Sequence, residues 1–315
     1  MSQPFEPRKD PAVKHAAATL KNHFTDRSGK PIRTPYYKTH LQVLYENDYF
    51  PWVVSDAIRI LVEDGFLTEV RKPDIIRLPK QLPYIRDIVF VANAQAYADN
   101  PTLVKTHALN TARLVNHYSN PKISKALGDH LEGLVRAELR ALGFTIAAVH
   151  TNQYREQRWT DTEHDLDIIA EHKSSRLNLG VEVKNTLDLT EPSEIDTKID
   201  ICNFHGLTPV FAVRWMKPYI DCIRNQGGFS IVFKTQIYPP GFEEWTKKLF
   251  AKLSVLTRAD LSGDPLQFPV TVRTDLPPRS VRAFQRWIEQ SIATPPQRNP
   301  LARCGGQRSS AQVEI

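Results

Sequence analysis

Cysteine is scarce in this chain of 315 residues: Cys202, Cys222 and Cys304 are scattered, and no CxxC pair occurs. That scarcity argues against a disulfide framework or a structural zinc site and favours a reducing cytoplasm. Long apolar runs are missing too, so no membrane-spanning helix is expected. The N-terminal "MSQPFEPRKDPAVKH" is polar and proline-bearing, unlike a secretory signal. No internal repeat, no GxxxxGK[ST] phosphate loop and no GxSxG elbow appears, and no Cys/His nucleophile pair stands out. An ATP site in this chain is therefore not indicated. His150, His172 and His205 show no ligand spacing, and Cys202 and His205, three apart, add too little for a metal site. What remains is an ordinary globular composition, 41% hydrophobic and 24% charged, long enough for two domains. The net charge of +6 is compatible with a phosphate-bearing partner.

Residues 1–30 read as a polar segment around one short helix, "AAATLKNHF". Over 31–95 the pattern changes. "YYKTHLQVLYEN" places Leu41, Leu44 and Tyr45 on one helical face. In "DYFPWVVSDAIRILVEDGFL" a second helix buries Val54, Ala57, Ile58 and Leu61 and stops at Gly65, a left-handed cap. "LTEVRKPDIIRLP" then reads as two short strands around Lys72 and Pro73. This order resembles a winged helix-turn-helix domain. The resemblance implies a helix in the major groove and a wing on the DNA backbone; winged helices also serve as protein-binding modules. Residues 96–125 are a helical connector, 126–256 an alternation of helix and strand, and 257–290 a helical extension. The proline- and glycine-rich 291–315 read as a disordered tail.

Within 126–256 the stretch "EHDLDIIAEHKSSRLNLGVEVKN" puts charge where apolar strands should run. Side chains alternate along a strand, so Asp165 and Asp167 share one face, and Glu182 and Lys184 share one face of the next strand. A buried charge is costly unless it is paired or bound to metal. If the strands are neighbours, carboxylates and a lysine converge. Carboxylate oxygens suit Mg²⁺, with Mn²⁺ as a substitute.

Helix glutamate, strand aspartate and Glu-x-Lys on the following strand together resemble the PD-(D/E)xK nuclease superfamily. The pieces are "GDHLEGLVRAELRALGF", "DLDIIA" and "VEVKN", and the arrangement is most similar to archaeal-type Holliday-junction resolvases. The match spans about residues 125–238, and His164 replaces the proline of the superfamily name. The resemblance implies a restriction-endonuclease-like α/β fold, a mixed sheet flanked by helices. It also implies Mg²⁺-dependent hydrolysis of DNA in restriction or phage defence, or in junction resolution or repair, with a homodimer as the assembly that would cut both strands. Asp167, Glu182 and Lys184 would be the core metal and water residues, Glu132 would support them, and Asp165 would be an outer or second-metal ligand. "YREQRW" offers Arg155 and Arg158 to the DNA backbone. Lys198 would be a further phosphate contact or simply a residue on a solvated helix face, and Glu138 a surface residue. The alternatives are a DNA-binding regulator using the nuclease fold as a scaffold, and an adaptor, which an acidic surface over Asp56–Glu63 would favour.

Overall fold

The computed structural model describes residues 6–26, 28–71, 75, 89–118, 120–186, 192–214, 219–257, 272–297 and 304. The chain divides into two compact units, one of Glu6–Leu127 with Lys234–Thr274, the other of Gly128–Phe233 with the two chain ends, Met1–Phe5 and Asp275–Ile315.

The first unit opens with α1 (Pro11–His23). Asp10 caps it by accepting from Ala12 N and Val13 N, and Pro11 fills the first turn, where its missing N–H is no loss. Val13, Ala16 and Leu20 are buried, so this polar-looking segment is part of a packed core. Next come β1 (Tyr36–Tyr37), α2 (Lys38–Leu44) and α3 (Pro51–Glu63), the last burying Val54, Ala57, Ile58 and Leu61 as its periodicity requires. Gly65 takes φ +72°, the left-handed turn that releases the chain from α3. β2 (Leu67–Arg71) pairs antiparallel with β3 (Val89–Asn93), which lies between β1 and β2. The partner of β2 is thus "VFVAN", a strand not read from the sequence. Lys72, Pro73 and most of the second strand expected there lie outside the described residues. α4 (Ala94–Asp99) and α5 (Pro101–Tyr118) follow.

The second unit begins within α6 (Pro121–Ala141), which ends at Gly143 (φ +88°). Its strands are β4 (Phe144–Thr151), the short pair β5 (Gln153–Tyr154) and β6 (Gln157–Arg158), β7 (Leu166–His172) and β8 (Asn178–Lys184). α7 (Pro192–Phe204) crosses over to β9 (Thr208–Val213), and α8 (Ile220–Asn225) to β10 (Phe229–Val232). The sheet order is β10-β9-β8-β7-β4; β4, β7 and β8 are antiparallel neighbours, while β8, β9 and β10 run parallel. This is a mixed sheet with helices, the α/β class expected. β9 is buried at every position, as a central parallel strand should be. Gly180 on β8 has a packing reason: a Cβ there would lie 2.5 Å from Cys202 Sγ and 2.9 Å from Leu166 Cδ1, where α7 presses on the sheet. α9 (Glu243–Thr257) belongs to the first unit. α10 (Pro278–Ala293) returns to the second, burying Phe284 and Ile288.

One finding departs from the cysteine reading. Cys222 and Cys304, 82 residues apart in sequence, form a disulfide, and Cys304 N donates to Asp196 Oδ1 at 2.7 Å. No local spacing announces such a pair. The tail beyond residue 297, apart from Cys304, lies outside the described residues. No described helix is long and apolar enough to cross a membrane.

Candidate active site

Three adjacent strands build the site. The β7–β8 ladder runs through Ile168↔Val181, and one more step places Asp167 opposite Glu182. The backbone confirms the approach: Val183 N donates to Asp167 Oδ2 at 2.6 Å. On the other side, β4 pairs Val149 with Ile168 and Thr151 with Leu166, so His150 faces Asp167. That position depends on an irregularity. The β4 register shifts by one residue between Ile146 and Ala148. Without that bulge Val149 would face Asp167, because a one-residue slip exchanges the two faces of a strand. His150 also has φ 46°, an uncommon backbone for a non-glycine residue. His150, Asp167 and Glu182 therefore form one row across β4, β7 and β8.

Glu132 reaches this row from the buried side of α6. Its Oε2 lies 3.1 Å from His150 Nε2, and His150 Nδ1 lies 3.8 Å from Asp167 Oδ1. One donor atom from each of Glu132, His150 and Asp167 falls within 4.8 Å of the others. Bonds of about 2 Å to a shared ion need donors only slightly closer than this, so the set fits a divalent cation.

The two lysines are placed differently. Lys184 Nζ turns to Glu194 Oε1 at the start of α7, and both side chains are partly exposed. Lys198, one turn further along α7, is the ammonium inside the acidic group. It lies 2.7 Å from Glu182 Oε2 and 3.7 Å from Asp165 Oδ1, and it donates to the Asp165 carbonyl oxygen. The Lys198 and Glu182 side chains are each only 6% exposed, so Lys198 does not occupy a solvated face.

Charge at the site is under-compensated. Burial, and then the neighbouring Asp167, pushes the Glu182 carboxyl up to about 7. Burial likewise raises Asp167, against the opposing bond from Val183 N, and raises Glu132 with help from Asp167. Burial works against the Lys198 charge, but Glu182 and then Asp167 and Asp165 outweigh it and hold its pKa above the ordinary lysine value. Lys198 meets Glu182 at Oε2, and this pairing offsets only part of the effect of burial on the carboxyl. Three carboxyls that resist ionising side by side are what a divalent cation relieves.

The remaining residues divide. Arg155, at φ 55°, reaches Glu171 at 3.3 Å and lies over the Tyr154 ring, while Arg158 is exposed on β6. His164 is exposed beside Asp165. Glu138 accepts from Gln285 Nε2 at 2.8 Å. His205 is a core histidine whose Nε2 meets the Asn152 carbonyl, and Cys202 is a buried thiol that donates to the Gly180 carbonyl. His172 packs edge-on against Phe144. His150 is the ligand candidate that spacing alone missed. Strand alternation would have found it only if the bulge in β4 had been visible.

No protein-family model, no curated protein and no solved structure matches this chain. The site's own chemistry is thus the ground for a functional reading.

Proposed function

We propose that this protein is a divalent-metal-dependent nuclease that hydrolyses phosphodiester bonds in DNA. One observation carries the reading: the row His150–Asp167–Glu182, joined by Glu132 and by the buried ammonium of Lys198. A structural ion pair needs one carboxylate per lysine, and this site holds three carboxyls with raised pKa values around one buried lysine.

When bound, a divalent cation would polarise a phosphoryl oxygen and make a nearby water more acidic. Glu132 and Asp167 supply carboxylate oxygens to hold it. Glu182, opposite Asp167 and beside Lys198, is placed to accept a proton from the attacking water. Water oxygen joins phosphorus, one ester P–O bond breaks, and the leaving oxygen takes up a proton. Lys198 keeps a fixed positive charge beside the reacting group and offsets the negative charge that builds on the phosphate. Lys184, held by Glu194, orients the end of β8.

Supercoiled plasmid tests the proposal. The wild-type protein is expected to nick it with Mg²⁺ or Mn²⁺ and not with chelator, and Asp167→Asn to lower the rate by about 10²–10³-fold. Nicking that persists unchanged in Asp167→Asn would remove this site from the reaction.

A second reading concerns the N-terminal unit. The order α1-β1-α2-α3-β2-β3, with sheet order β1-β3-β2, supports the winged-helix resemblance. The outer surface of α3, however, is acidic. Arg59 is engaged by Asp56 and Glu63, and Arg8 by Glu63 and Asp64. This favours a protein partner for α3 over a phosphate backbone. Replacing Arg8 and Arg59 together by alanine is expected to change duplex-DNA affinity by less than about twofold, measured by fluorescence anisotropy across salt concentrations. A tenfold loss with a shallower salt slope would return α3 to the DNA interface.

A further inference from the structure

The acidic centre contains a nitrogen donor that a magnesium site does not need. His150 sits between Glu132 and Asp167 through both ring nitrogens, at 3.1 and 3.8 Å, and its side chain is 55% exposed. The chain reaches this arrangement through two uncommon local features, a bulge in an edge strand and a left-handed histidine. Together they replace the valine next in sequence with an imidazole on the row's face. A second feature also points to a cation here. Lys198 is paired with Glu182 at 2.7 Å and with Asp165 at 3.7 Å, while the Glu132 and Asp167 carboxyls face the imidazole instead.

We propose that His150 is an imidazole ligand, with Glu132 and Asp167, to a first-row transition ion, and that the site takes Mn²⁺ in preference to Mg²⁺. The argument is one of ligand type. Mg²⁺ demands oxygen donors in near-ideal octahedral geometry and keeps most of its waters. Imidazole suits the transition ions, and a mixed set of two carboxylates and one histidine leaves positions open for water and a phosphate oxygen. The exposure of His150 puts those open positions on the solvent side. Glu182, beyond this three-atom group, faces the ion as a further carboxylate or as the partner of its water. The inference deepens the nuclease reading by naming the class of ion. It rests on that reading for the reaction, but metal binding is tested without any nucleic acid.

The experiment is a Mn²⁺ titration of the full chain followed by the EPR signal of free Mn²⁺, repeated with Mg²⁺ as competitor, on the wild type, His150→Ala and His150→Gly. Glycine accepts the left-handed backbone, so the second variant guards against a folding defect in the first. The wild-type protein is expected to bind Mn²⁺ at least about tenfold more tightly than Mg²⁺. Both variants should lose about ten- to a hundredfold in Mn²⁺ affinity and little in Mg²⁺ affinity, so the preference collapses. Pulsed EPR of bound Mn²⁺ should show coupling to a ¹⁴N nucleus that disappears in both variants.

Absence of Mn²⁺ binding, equal affinity for the two ions, or bound Mn²⁺ without nitrogen coupling would each overturn the proposal. The two readings fail separately. Nitrogen-coupled Mn²⁺ with no cleavage of any DNA supports the ligand assignment and sinks the nuclease. Cleavage with Mn²⁺ bound through oxygen alone keeps the nuclease and sinks the ligand assignment.

Discussion

Replacing Lys198 with methionine is expected to reduce metal-dependent cleavage by about 10²–10³-fold, whereas Lys184→Met should lower it by less than about tenfold. The difference follows from burial. Lys198 and Glu182 form a pair in which each side chain is 6% exposed, and the ammonium also faces Asp165. Removing one member of a buried pair strands the other, at a cost of about 3–5 kcal/mol, so Lys198→Met should also lower the unfolding midpoint markedly. The Lys184–Glu194 pair, with side chains 26% and 28% exposed, is screened by solvent and contributes about 0–1 kcal/mol. Loss of fold and loss of chemistry are separated by assaying Lys198→Met well below its own unfolding midpoint, where the folded variant is still expected to cleave about 10²–10³-fold more slowly. If Lys184→Met were the inactive protein and Lys198→Met retained full rate, the role would belong to the Glu-x-Lys lysine, as the nuclease resemblance implies.

The second large effect is a pH dependence of the metal-free protein. Glu182 titrates near 7 in the fold against an ordinary value of 4.5, because it is buried and faces Asp167. Its folded pKa is raised, so its contribution to stability is fully present below pH 4.5, where it is protonated in both states. Between 4.5 and 7 the unfolded chain releases this proton while the folded chain keeps it, and stability falls as pH rises. Above 7 the accumulated loss is about 3 kcal/mol. Glu132 and Asp167 are raised too, chiefly by burial, so they change stability with pH in the same sense. Thermal unfolding with chelator present should therefore show a lower midpoint at pH 8 than at pH 5.5. Glu182→Gln should flatten much of that difference, and Mn²⁺ at pH 8 should restore the wild-type midpoint by binding only the folded state. Parallel pH profiles for wild type and Glu182→Gln would mean that Lys198 keeps Glu182 ionised as an ordinary pair.

Much of the local structure was legible without coordinates. The stripe Val54, Ala57, Ile58 and Leu61 is buried on α3, and Gly65 and Gly143 hold the left-handed turns that end their helices. Asp167 and Glu182 face one another because side-chain alternation on two paired antiparallel strands leaves little choice. Such features repeat every two or 3.6 residues, and the sequence displays those periods directly.

Other features depend on contacts with no period. β3 inserts between β1 and β2 from Val89–Asn93, where no strand was read, and Cys222 meets Cys304 across 82 residues. Lys198 reaches Asp165, 33 positions earlier, only because α7 packs against the sheet. His150 enters the row because one extra residue in β4 reverses which side chain faces Asp167. By itself, then, the sequence determined which strands carry charge and which helical faces are buried. Tertiary structure decided which lysine and which histidine join the carboxylates, because packing between distant segments and a one-residue bulge leave no local pattern to read.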